Sequence, residues 1–167
     1  ALPILESVGA SIRMDGEDLP NTTIERLLSS LTYREFRELS EQKVAGYAHA
    51  LHVIYEQYKD ISLTESRIKQ LHGVLFHYSP DYANKGKYRT TTSHNNLLLP
   101  PNISREMQIL VQSTQNELLN RTLHPLLILA QFTMHFLRIQ PFEEGNEALS
   151  RILTALLMLK SGYTYGP

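Results

Sequence analysis

Apolar side chains return every three or four residues along most of the chain, and that period leaves little besides helices to fold into. Between Tyr33 and Tyr58, the positions Phe36, Leu39, Val44, Tyr47, Leu51, Ile54, Tyr55 and Tyr58 make one such stripe and predict a long helix. The first dozen residues predict a short helix ending near Gly16, since glycine is favoured just past a helix end. After Pro20, Asn21 is placed to cap a second one through Ser30, with Ile24, Leu27, Leu28 and Leu31 on its apolar side. Ser62-Leu63-Thr64-Glu65 reads as a capping box with Ser62 at the cap, and Ile68, Leu71, Leu75 and Phe76 carry that helix to Ser79-Pro80. Asn102 or Ser104 opens another, reaching Asn120. His124-Pro125 puts a proline in the first turn of the next, which runs to about Ile139. A last helix spans Asn146 to Lys160, with Gly162 placed to end it.

Residues 81–101 break the period. Asn84, Gly86, the Thr90–Thr92 run and Pro100-Pro101 predict a loop or a short β-hairpin. The expected fold is therefore an all-α single domain over 1–167 with one hairpin-like insertion; no repeat or linker divides it. The chain lacks an initiator Met and stops at Gly166-Pro167, so it is expected to be a fragment of a longer protein.

Charge and composition remove several function classes. The 16 basic and 17 acidic residues nearly cancel, so nothing announces a nucleic-acid partner. With no cysteine there are no disulfides or thiolate metal sites, and a reducing, cytoplasmic setting is expected. Apolar runs such as Leu153 to Leu159 are too short to cross a bilayer, and no membrane partner is expected. His49 with His52, and His72 with His77, lack the His-Glu-x-x-His arrangement of a zinc site and read as helix-face or partly buried. The nine tyrosines read as core or rim, and Ser93-His94 is adjacent in sequence without the geometry of a nucleophile and base.

The segment richest in chemistry is Gln140-Pro-Phe-Glu-Glu-Gly-Asn-Glu-Ala-Leu-Ser-Arg151, a tight loop feeding a helix. Unpaired amides and the macrodipole at such an N-terminus favour an anion. Gly145 lets the backbone turn, Asn146 can cap, and Arg151 can point back toward a phosphate. The same letters also serve as an ordinary helix start, with acidic residues complementing the dipole, and local chemistry leaves both readings open.

This segment resembles the core motif of the Fic (Fido) family, H-x-F-x-[D/E]-G-N-G-R-x-x-R. Phe142, Glu144, Gly145, Asn146 and Arg151 match, while Gln140, Glu147 and Ala148 replace the His, the second Gly and the first Arg. Gly86-Lys87-Tyr88-Arg89-Thr90 is similar to the G-x-Y-R start of the family's substrate-positioning flap, making Tyr88, Arg89 and Thr90 flap residues, and Pro100-Pro101 follows at a suitable distance. His124-Pro125 with His135 resembles the helix before the motif, and Leu156 to Tyr163 the helix end after it. Ser11-Ile-Arg-Met-Asp15-Gly16 is similar to the family's inhibitory [S/T]-x-x-x-E-[G/N] helix, here about residues 1–16, with Asp for Glu. The resemblance pairs Asp15 with Arg151; a helix simply ending at Gly16 is the alternative.

The resemblance implies transfer of AMP from ATP to a protein hydroxyl, with ATP and Mg²⁺ as cofactors, and the substitutions bear on each requirement. Gln140 cannot accept a proton at neutral pH, and losing a general base costs roughly 10²- to 10⁴-fold in rate. Replacing Gly-Arg by Glu147-Ala148 takes the formal local charge from +1 to −1 beside Glu143 and Glu144. Glu144 still offers one carboxylate to Mg²⁺, but weak binding is expected without phosphates to share the metal. The nucleotide-facing set carried over is Phe142, Gly145, Asn146, Glu147, Ala148 and Arg151. The expectation is a degenerate Fic domain, a pseudoenzyme whose flap binds a protein segment by strand addition. An active transferase with altered chemistry is the alternative, and a regulatory protein whose active part lies beyond Pro167 is a third.

Overall fold

The computed structural model describes residues 2–16, 19–29, 39–92 and 98–163. These form seven helices and, among the described residues, no strand: α1 (Leu2–Met14), α2 (Asn21–Ser29), α3 (Leu39–Gln57), α4 (Glu65–Leu75), α5 (Pro100–Asn120), α6 (Pro125–Ile139) and α7 (Asn146–Lys160). The fold is all-α. The expected hairpin is not seen: residues 87–90 are irregular backbone, and Ser93-His94 with the rest of 93–97 lies outside the described residues. Ser30, Leu31 and residues 33–38, the expected start of the third helix, also lie outside them.

Helix α7 sits where the others meet. It packs on α6, α3 and α4, and Leu149, Ile152, Leu153, Leu156 and Leu157 are all buried, the pattern of a helix enclosed on most sides. Helices α1 and α2 pack on α3, and α5 packs on α6. Inside α3, Gly46 lets the end of α4 approach: a Cβ there would lie 1.8 Å from the Leu75 carbonyl oxygen. That contact sets Leu75 and Phe76 behind the motif loop. No helix among the described residues is long and apolar enough to cross a membrane.

The starts of α4 and α5 differ from the sequence expectation, and Asn21, expected to cap α2, is its first helical residue. Helix α5 begins at Pro100, before Asn102 or Ser104, because both prolines fit a first turn whose amides need no partner. Helix α4 is capped by Thr64, not Ser62; the Thr64 hydroxyl accepts the Arg67 N–H at 3.2 Å. Burial of Ile61 and Leu63 draws the preceding chain into the core and leaves Thr64 at the turn, while the Glu65 carboxylate accepts the Tyr88 hydroxyl instead of closing a box. Thr64→Ala is expected to lose about 1 kcal/mol in urea unfolding and Ser62→Ala close to nothing.

Candidate functional site

Helix α6 ends with Gln140 in the left-handed region (φ 43°, ψ 67°), its N–H donating to the Phe136 carbonyl at 2.9 Å. The chain then drops Phe142 into the core, fully buried and stacked on the His72 ring at 3.9 Å. Asn146 was expected to cap α7, but Gly145 holds the cap position, and its φ of 82° suits glycine. A Cβ on Gly145 would also lie 2.7 Å from the Phe76 ring. Asn146, buried in the first turn, clamps the loop: its amide donates to the Phe142 carbonyl at 2.8 Å, and its carbonyl accepts the Phe142 N–H at 3.0 Å. Gly145 has no side chain to cap α7, so among the described residues the first amides of that helix are available to a ligand in front of them.

In front of them is a cleft of about 200 Å³ bordered by α1, α3 and the end of α4. Asp15, Glu144 and Glu147 line it with one lysine, Lys43, and the Ala148 methyl stands where an arginine would reach inward. Ser11, also of the N-terminal set, is buried on its wall, and Gly16 closes α1 with a φ of 81°. The Arg151 Nη2 lies 2.9 Å from both oxygens of Asp15, its Cζ is 5.8 Å from the Tyr47 ring centre, and its Nε is buried with no hydrogen-bond partner among the described residues. Asp15 and Arg151, 136 residues apart, are thus brought together. Glu143 faces elsewhere and accepts from the Asn84 amide. Gln140 lines a different cleft, of about 640 Å³, with Leu98, Ile109, Ser113 and His135. Among the described residues no group of three or more His, Cys, Asp or Glu is placed to hold a metal ion, so Glu144 would bind one only with water or phosphate completing the shell.

The flap residues anchor the loop from behind. Arg89, a flap residue by the resemblance, is buried: its guanidinium donates to the carbonyls of Gln140 (2.7 Å), Leu98 (2.7 Å), Thr91 (2.9 Å) and Ile139 (3.3 Å), and its backbone N–H to Pro141 (2.8 Å). A cation at the end of α6 also matches the negative end of that helix. Backbone acceptors at both ends of the flap are taken up by this one side chain, which explains why a strand ladder does not begin there. Burial lowers the Arg89 pKa from its ordinary value. The Tyr88 hydroxyl, pushed up by burial and by Glu65, donates to that carboxylate at 2.7 Å, and its ring meets Phe142 edge-on. Thr90 alone of the three is exposed.

The Fic/DOC family model matches residues 62–158, more than half of the chain and the stretch from the cap of α4 through α7. The chain belongs to the Fic/DOC family. Solved Fic proteins share its fold. A Fic domain containing signaling protein from Bacteroides thetaiotaomicron superposes with a TM-score of 0.77 at 24% identity, covering 96% of this chain and 64% of that one. Fic-1 from C. elegans gives 0.74 at 19% identity, covering 91% and 46%, and a Fic family protein from Desulfovibrio desulfuricans gives 0.73 at 17%, covering 95% and 48%. The chain thus spans less than two thirds of the length of each of these.

Three residues of this Fic domain escaped sequence reasoning. His72 was read as helix-face or partly buried, and it is completely buried; its place in the stripe Ile68, Leu71, His72, Leu75 is the i, i+3, i+4, i+7 signal that marks the inward face. Lys43 lies one turn before Tyr47 on α3 and carries no local signal for the cleft. Phe76, behind Gly145, read only as core.

Proposed function

We propose that this Fic domain is impaired in AMP transfer from ATP to protein hydroxyls and serves as a pseudoenzyme that binds or regulates a protein partner. The observation that carries the reading is the company at the α7 N-terminus: Asp15, Glu144 and Glu147 share the cleft with Lys43. A helix N-terminus supplies about half a positive charge. Each carboxylate about 5 Å from a phosphate charge opposes it by roughly 1–3 kcal/mol at effective dielectric constants of 80 to 20. Repulsion wins: Asp15 and Arg151 cancel each other, Lys43 offsets one of the two glutamates, and one carboxylate charge remains against about half a positive charge, with no cation from Ala148. The residues present do not fit a polyphosphate. Gln140 adds an independent loss, having no site for a proton from an acceptor hydroxyl. What remains usable is the exposed Thr90–Thr92 stretch and the cleft under Gln140, where a protein segment can lie.

Calorimetric titration with ATP and Mg²⁺ tests this. The unmodified protein is expected to bind with a Kd of about 1 mM or weaker. Gln140→His with Glu147→Gly and Ala148→Arg together should tighten binding by at least about tenfold, since the formal charge at the mouth of the cleft rises by two units. Micromolar binding by the unmodified chain, or transfer of labelled nucleotide to a protein that Gln140→Ala abolishes, would overturn the reading in favour of a transferase with altered chemistry.

A further inference from the structure

His72 comes from α4 and touches neither cleft, yet it joins the two turns that matter most. Its Nδ1 accepts the Gly86 backbone N–H at 2.9 Å, just before the flap, and its Nε2 lies 2.9 Å from the Glu144 carbonyl in the motif loop. An amide N–H can only donate and a carbonyl can only accept, so this geometry requires the neutral ring with its proton on Nε2. The ring is held in that orientation by stacking on Phe142 at 3.9 Å and 11°, with Phe76 at 4.9 Å. On either side stands a left-handed glycine: Gly86 at φ 67°, where a Cβ would meet the Lys69 carbonyl at 2.9 Å, and Gly145 immediately after Glu144.

We propose that His72 is a positioning residue: one neutral imidazole ties the turn before the flap to the turn that opens α7, so that the two adopt their shapes together. A displacement of the flap base then moves the Glu144 carbonyl, and with it the Gly145 turn and the first amides of α7. Because the ring needs one donor and one acceptor at once, a residue of similar volume with neither breaks the tie while filling the core. The inference concerns the shape of the turn, so it stands or falls separately from whether the turn grips a phosphate.

Nitrogen NMR on the full chain tests it. At neutral pH the His72 ring is expected to show a bare Nδ1 and a protonated Nε2, with a coupling across the Gly86 N–H···Nδ1 bond. His72→Leu should speed amide exchange at Gly86 together with Phe142 and Leu149, whose N–H groups bond within the motif turn, by about tenfold or more, the effect of one lost buried hydrogen bond. His72→Gln, which keeps a donor and an acceptor, should recover most of that protection. The opposite tautomer, faster exchange at Gly86 alone, or an equal loss across α5 and α6 would overturn the proposal. Should the leucine variant fail to fold, the coupling in the unmodified protein and the glutamine variant decide.

Discussion

Gly46→Ala is expected to be the most damaging single-methyl change in this protein, lowering stability by about 3 kcal/mol and the melting temperature by roughly 6–12 °C. The added Cβ would stand 1.8 Å from the Leu75 carbonyl oxygen and 2.9 Å from its carbon, both backbone atoms that cannot swing aside. Alanine favours a helix interior over glycine by up to about 1 kcal/mol, which offsets only part of the overlap. The end of α4 must retreat, carrying Phe76 away from Gly145. Gly73→Ala is the internal comparison. It adds the same methyl within α4, where nothing lies within 4 Å of the new carbon, and should raise stability by up to about 1 kcal/mol. Urea unfolding of both variants beside the parent checks the pair. A Gly46→Ala protein as stable as the parent would mean that the α3–α4 contact yields easily and does not fix the wall behind the motif loop.

That contrast also marks the boundary of what a sequence can disclose. Gly46 and Gly73 look alike as letters inside helical stripes, and only the crossing of α3 over α4 separates them. Local chemistry fared well where it is self-contained. The period of apolar residues yielded an all-α fold, and α7 runs over Asn146–Lys160 as its pattern predicts. It failed where a partner comes from far away. Asn146 looks like a cap until Gly145 takes that position and the Asn146 amide turns back to Phe142. Arg89 reads only as a flap residue until four carbonyls, from Thr91, Leu98, Ile139 and Gln140, surround it. The hairpin was inferred from turn residues alone, whereas a ladder needs free backbone groups, and Arg89 occupies those at the base. Asp15 and Arg151 were joined only through the resemblance to a family, because 136 intervening residues carry no local signal of their meeting.

Acidification is expected to weaken the fold through His72, and the sign follows from its burial. The ring is fully enclosed, and burial lowers its pKa from 6.5 to about 4, with the bond to the Glu144 carbonyl opposing this only in part. In the unfolded chain the same group titrates near 6.5. Between those values the unfolded state binds a proton that the folded state refuses, so stability rises with pH across the window. The contribution is complete above about 6.5 and is lost as pH falls to about 4. At 1.36 kcal/mol per pH unit the full loss is about 3 kcal/mol. His49, lowered by burial and then by His77 and His52, acts in the same direction. Urea midpoints at several pH values between 7.5 and 4.5, for the parent and for His72→Gln, isolate the term. The variant starts lower, having lost the stacking on Phe142, but its slope should be flatter by the share that His72 supplies, since glutamine does not titrate. Carboxylates titrate alike in both proteins and cancel in the difference. Parallel slopes would mean that the buried ring takes up its proton without strain, and the neutral tie between Gly86 and Glu144 would then have no energetic standing.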